Sequence, residues 1–216
     1  KGQTIGVIGG TGSGKTSLIN MIPRFYDATK GEVLVNGTNV KEYTEEGLRN
    51  KIGIVPQKAV LFKGTIRSNL LWGNESATEN DLMEALKQAQ SYDFVMQKEN
   101  GIDSVVEQNG RNFSGGQRQR LTIARALVRK PEILILDDSS SALDYTTDAN
   151  LRKEIAKLKD MTVFIVSQRT ASIMDADQIV VLDDGVIVGM GTHDTLIDSC
   201  EVYREIYESQ YGKGAR

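Results

Sequence analysis

The run Gly9-Gly10-Thr11-Gly12-Ser13-Gly14-Lys15-Thr16 constrains this chain more than any other stretch. It fits G-x-x-x-x-G-K-[ST], follows an apolar strand from Thr4 to Ile8, and opens a helical pattern from Lys15 to Ile22 that stops before Pro23. Glycines let successive backbone N–H groups turn inward around phosphates, and the helix start adds partial positive charge. Lys15 is placed as a point charge for the β- and γ-phosphates, and Thr16 offers a hydroxyl to Mg²⁺. A glycine-rich turn that binds nothing is the alternative. Strand, loop, Lys-Thr and helix in this order argue against it.

Such a site needs a packed core, and 216 residues at 39% hydrophobic and 25% charged supply one domain with room for a subdomain. Acidic residues outnumber basic ones, 29 to 26, so an electrostatically driven nucleic-acid binder is not expected. Cys200 stands alone, which excludes an internal disulfide and fits a reducing setting. No stretch approaches the roughly 20 apolar residues of a membrane span, so the chain by itself is expected to be soluble. A core strand so near the first residue predicts a piece cut from a longer polypeptide.

Strand-like runs alternate with helical ones, which predicts an α/β fold with a mostly parallel, helix-covered sheet. Strands are expected at Gly31 to Asn36 (with a turn at Asn36-Gly37), Ile52 to Val55, Ile133 to Leu136, Thr162 to Val166 and Gln178 to Leu182. The last pairs with Val186 to Val188 through Asp183-Asp184-Gly185. Between residues 62 and 129 the pattern turns helical, with an amphipathic stretch at Asp81 to Gln90 and a closing helix from Gly115 to Arg129. This predicts a helical subdomain, 62–129, inserted into a core made of 1–61 and 130–216. Two short helices close the chain.

Ile133 to Leu136 runs into Asp137-Asp138. An acid at the C-terminal end of such a strand lies beside the phosphate loop, which makes Asp137 the expected Mg²⁺ support. The pair could instead cap the following turn. A second anion-binding end is expected where Ser114-Gly115-Gly116-Gln117 opens the helix carrying Arg118, Arg120, Arg125 and Arg129. The bland alternative is an ordinary helix start with a solvated arginine face.

Asn112-Phe113-Ser114-Gly115-Gly116-Gln117 closely resembles the signature of the ATP-binding cassette (ABC) family, with Phe113 where Leu is usual. Val55-Pro56-Gln57 is similar to that family's Q-loop, and Ser141-Ala142-Leu143-Asp144 to its D-loop. Pro23 to Asp27, Leu61 to Asn69, Gly191 to Asp194 and Tyr203 to Glu208 resemble the exporter branch. The resemblance covers essentially the whole chain. It implies a P-loop ATPase core whose N-terminal antiparallel strands, with the aromatic that stacks on adenine, lie upstream of Lys1. It implies ATP and Mg²⁺, the latter near Thr16, Gln57 and Asp137. It also implies head-to-tail pairing with a second cassette, whose phosphate loop would face Ser114 to Gln117 and Asp144, and a transmembrane domain in the same polypeptide. The setting would be the cytoplasmic face of a membrane.

Departures from the family pattern matter. Asp138 stands where a Glu base is usual, one methylene shorter, or roughly 1.5 Å. Ser167-Gln168-Arg169 stands where Ser-His-Arg is usual, and a Gln amide can donate a hydrogen bond but cannot become a cation. His193, the one histidine, lies beyond the later hairpin and is expected to serve a local structural role at a helix start. Glu107-Gln108-Asn109-Gly110 replaces the usual Gly-Glu pair of the X-loop, and Ser139 a usual proline. Altered Asp138 and Gln168 beside a nearly intact signature predict the degenerate-site half of a heterodimer. An active homodimer is the competing account. A soluble cassette ATPase acting on nucleic acid or ribosomes would call for a long coiled coil or basic linkers, and neither is present. A regulatory nucleotide module without turnover is a further alternative.

Overall fold

The computed structural model describes residues 1–212. In chain order its strands are β1 (Thr4–Gly9), β2 (Leu34–Val35), β3 (Thr38–Asn39), β4 (Ile52–Val55), β5 (Gly64–Thr65), β6 (Val105–Val106), β7 (Ile133–Asp137), β8 (Thr162–Val166), β9 (Gln178–Asp183) and β10 (Val186–Gly191). Its helices are α1 (Lys15–Asn20), α2 (Glu45–Arg49), α3 (Ile66–Leu71), α4 (Glu79–Gln88), α5 (Tyr92–Met96), α6 (Gly115–Val128), α7 (Tyr145–Ile155), α8 (His193–Ser199) and α9 (Glu201–Tyr211).

Six strands form the central sheet in the order β10-β9-β1-β8-β7-β4. Every pair is parallel except β9 with β10. Helices cover both faces, so the strands read as continuous apolar runs whose alternate residues enter two separate cores. Ile8, Leu134, Leu136, Val163, Ile165, Ile179 and Val181 join the larger cluster with α3, α4, α6, α7 and α9. Val7, Ile135, Val166 and Leu182 face the smaller cluster, with α1, α2 and the β2–β3 hairpin. The larger cluster runs unbroken from the sheet into the helices between β4 and β7.

The register aligns what matters for chemistry. Val7 lies opposite Val166, Val166 opposite Asp137, and Leu136 opposite Val55. The C-terminal ends of β1, β8, β7 and β4 therefore finish at one edge, where ligands bind in open parallel sheets.

Local chemistry explains the differences from the sequence reading. α1 stops at Asn20 because Met21 and Ile22 take i−3 carbonyls, tightening the last turn before Pro23. β2 shrinks to two residues because β3 is its only partner among the described residues, although Asn36 (φ 52°) and Gly37 (φ 77°) form the expected turn. The stretch read as purely helical also holds a short ladder between β5 and β6. β10 extends beyond Val188 to Gly191, with an irregularity after Ile187.

Candidate functional site

The phosphate loop is held by its neighbours. A Cβ on Gly9 would sit 2.1 Å from the Leu182 carbonyl oxygen, so only glycine lets the loop leave β1 against β9. Gly12 (φ 82°) and Gly14 (φ 95°) take the left-handed region. On the outer side, the Gly185 N–H of the β9–β10 turn donates to the Ser13 carbonyl at 3.1 Å. A cavity of about 190 Å³ over the loop is lined by Gly12, Gly14, Lys15, Thr16 and Ser17.

Within the loop, the buried Lys15 ammonium donates to the carbonyls of Gly9 (2.8 Å) and Gly10 (2.7 Å) and reaches the Ser13 hydroxyl at 3.4 Å. Burial lowers its pKa, opposed by the charges of Asp138 and Asp137. The Thr16 hydroxyl donates to the Asp137 carboxylate at 3.1 Å. Burial pushes the Asp137 carboxyl up, with the Thr16 bond opposing. Two oxygens at this separation suit adjacent positions around Mg²⁺, whose metal–oxygen distances are about 2.1 Å. Among the described residues no cluster of three His, Cys, Asp or Glu could hold a metal ion. A hydroxyl and one carboxylate fit an ion that keeps waters and shares substrate phosphates.

Asp138 follows in the left-handed region (φ 46°), which Asp tolerates better than most residues, and its N–H donates to the Val166 carbonyl. Its carboxylate accepts a 2.9 Å hydrogen bond from the Gln57 amide, so the ends of β4 and β7 meet. Gln168 is exposed just beyond β8. No hydrogen bond joins its side chain to Lys15, Asp137 or Asp138 among the described residues. Beneath, a buried polar chain runs from Ser140 to Ser172 (3.3 Å), to Asp148 (3.2 Å) and on to Arg152 (3.2 Å). Nothing in the sequence reading pointed to Asp148 or Ser172.

The second helix start is a reciprocal cap. The Ser114 hydroxyl accepts the Gln117 N–H at 3.2 Å, and the Gln117 side chain accepts the Ser114 N–H at 3.0 Å. The N–H groups of Gly115 and Gly116 have no partner among the described residues. The solvated arginine face of the alternative is not found among the described residues. Arg118 donates to Phe113, Arg120 to Gln90, Arg125 to Val60 and Arg129 to Gly73 and Arg49, all at backbone carbonyls. A side chain with five fixed donors is suited to knitting loops in this way. Phe113 is buried beneath Lys98, whose ammonium lies 4.5 Å from the ring centroid.

A Cβ on Gly116 would come within 3.2 Å of the Ala142 carbonyl, so α6 packs directly on the turn before α7. Asp144 caps α7 by accepting the Thr147 N–H (2.9 Å) and hydroxyl (2.8 Å), which hold its carboxyl below the usual range. A cleft of about 490 Å³ between Gln57, Asn109, Gly115, Arg118, Gln119 and Ala142 lies at this helix start. It shares no lining residue with the cavity over the phosphate loop.

A third feature was not anticipated. Phe25, Phe62 and Trp72, all strongly exposed, rim a groove of about 290 Å³ with Arg49, Arg125 and Arg129. Arg49 Nε and Arg125 Nη1 are buried there without a hydrogen-bond partner. Exposed aromatics would have flagged it only once the fold placed them together.

Residues 1–141 match the profile described as "ABC transporter". This chain belongs to the ABC transporter family. An uncharacterized ABC transporter ATP-binding protein, YfiB, of Bacillus subtilis is 46% identical over 98% of this chain and 37% of its own length. A putative multidrug export ATP-binding/permease protein of Staphylococcus aureus is 44% identical over 97% of this chain and 36% of its own length. A solved structure of a bacterial Atm1-family ABC exporter with ATP bound superposes with a TM-score of 0.93 at 34% identity, over 97% of this chain and 37% of that one. Within the ABC family the chain is an ATPase domain. It spans little more than a third of the length of these relatives, and no helix among its described residues is long and apolar enough to cross a membrane.

Proposed function

We propose that this chain powers export across a membrane by binding and hydrolysing ATP between two cassettes packed head to tail. The observation that carries the reading is the separation of the two anion-binding helix starts. The phosphate loop and the helix start at Gly115 line different cavities. Each then serves a different nucleotide, one held at home and one on a partner.

At the home site Lys15 exchanges the carbonyls of Gly9 and Gly10 for the β- and γ-phosphates. Thr16 and Asp137, with Gln57 near them, would hold Mg²⁺, which would supply neutralisation of the charge developing on the phosphates. Asp138 is the base that polarises water, and Gln168 faces the γ-phosphate as a hydrogen-bond donor. A carboxylate drawn back by one methylene, and already bonded to Gln57, favours slow turnover. The signature, Ser114 to Gln117, with Asp144 beside it, then completes a competent site on a non-identical partner.

The division into a core (1–61, 130–216) and a helical subdomain (62–129) belongs to the same proposal. So does a transmembrane domain in the same polypeptide, on the cytoplasmic side. The aromatic groove suits it: exposed rings next to two unsatisfied buried guanidinium N–H groups call for an apolar segment carrying a carboxylate or carbonyl.

Sedimentation with MgATP of the purified chain mixed with a second cassette that carries Glu and His at the positions of Asp138 and Gln168 tests the composite site. Association beyond the 23.8 kDa monomer that requires nucleotide, and that Lys15→Ala weakens, is expected. Nucleotide held tightly by a lone 23.8 kDa species at every concentration overturns the reading.

A further inference from the structure

The side chain of Gln168 touches nothing that fixes it, yet its backbone is gripped from an element far away in sequence. Gln210, in the last turn of α9, donates its amide N–H to the Gln168 carbonyl at 2.7 Å. The same amide accepts the Thr170 N–H and the Thr170 hydroxyl, both at 3.0 Å, through its oxygen. Next to it the Tyr211 hydroxyl reaches the Met174 sulfur at 4.0 Å. α9 is itself anchored by Tyr203 and Tyr207, both buried. We infer that Gln210 is a positioning residue for Gln168, a clamp by which the C-terminal helix sets the turn after β8 against the phosphate site.

The residue type follows from the geometry. Three bonds use both ends of one amide, a donor toward Gln168 and an acceptor toward Thr170. Glu keeps the acceptor and loses the donor. Asn falls one methylene short. Other bonds hold its neighbours: the Ser167 N–H donates to the Val7 carbonyl, the Arg169 N–H to the Ser167 hydroxyl, the Arg169 guanidinium to the Ser141 carbonyl at 3.4 Å, and the Ser172 N–H to the Arg169 carbonyl. Without Gln210 the Gln168 carbonyl and the Thr170 N–H and hydroxyl lose their bonds to α9, while Lys15, Thr16, Asp137 and Asp138 keep every bond described above.

This inference rests on Gln168 facing the γ-phosphate, and two measurements on the full chain separate the layers. In hydrogen exchange without nucleotide, Gln210→Ala is expected to speed exchange of the segment 167–173 about tenfold or more and leave 9–20 and 133–144 unchanged. Gln210→Glu should fall between. In phosphate release, Gln210→Ala is expected to lower the single-turnover rate about tenfold and Gln210→Glu to lower it less, while the steady-state KM for MgATP stays within about twofold. Unchanged exchange, an unchanged rate, or equal shifts in rate and KM each overturn the positioning role. Lys15→Ala serves as the control: if it binds MgATP like the parent chain, the site assignment fails, and the exchange data still judge the clamp.

Discussion

Asp138 stands in a left-handed conformation with a side chain one methylene short of the usual base, and its carboxylate already accepts the Gln57 amide. If Asp138 is the base proposed above, geometry rather than acidity limits it, because a misplacement of about 1 Å costs on the order of 100-fold in rate. Asp138→Glu is therefore expected to raise single-turnover phosphate release at least about tenfold, less a small penalty for placing a longer side chain at positive φ. An unchanged rate would overturn the proposed degenerate site.

Tyr203 carries a different prediction. Burial, with Tyr207 and Tyr211 nearby, pushes its hydroxyl up to about 12 from an ordinary 10.0. An unfolded chain ionises this group first, so its contribution to stability is whole below about pH 10 and is lost as pH rises through about 12. Urea midpoints near pH 9 and 11 should fall more steeply for the parent chain than for Tyr203→Phe. The variant has its own cost of about 1 kcal/mol, since His193 Nδ1 loses its 2.8 Å partner.

Among the elements, the entry into α3 shows how one side chain can organise a loop. Asn69 is buried, accepts the Phe62 N–H (2.8 Å), and donates to the carbonyls of Phe62 (2.8 Å) and Thr65 (2.9 Å). Three bonds at about 1 kcal/mol each put the cost of Asn69→Ala near 3 kcal/mol, measured as a shift in the urea midpoint at constant slope. A loss below about 1 kcal/mol would mean that water replaces these bonds. The same loop carries Phe62, whose ring packs 5.0 Å from Trp72, so the variant should also loosen the aromatic groove.

Gly115 bears on the proposed pairing of two cassettes. A Cβ there meets nothing within 4 Å, and the residue is exposed at the start of α6. Nothing in the isolated fold asks for glycine at this point. Gly115→Ala should leave thermal stability unchanged or slightly raised. It should nevertheless weaken nucleotide-dependent association about tenfold or more, because a methyl group blocks close approach of another molecule's phosphates to the helix start. Undiminished association, read by sedimentation, would detach the signature from any partner site.

How much of this was legible in the linear chain depends on range. The phosphate loop, Asp137, the signature cap and the turn at Asn36-Gly37 could be read directly, because each is a short run in which backbone conformation and residue type dictate one another. The shared edge of β1, β4, β7 and β8 followed from alternating strands and helices, since parallel crossovers return the strands with one polarity. Interactions between distant residues could not be read in this way. The Gln57–Asp138 bond joins positions 81 residues apart, and the Gln210 clamp on Gln168 spans 42. The signature arginines look like a charged face in one dimension and bind carbonyls of four separate loops in three. The amino-acid order thus set the local geometry, a glycine loop that opens a helix and a second helix start with a reciprocal cap, because those are local properties of backbone. Packing decided which side chains hold the loops at the sheet edge in place, because only burial in a common core brings together donors and acceptors that the chain itself keeps far apart.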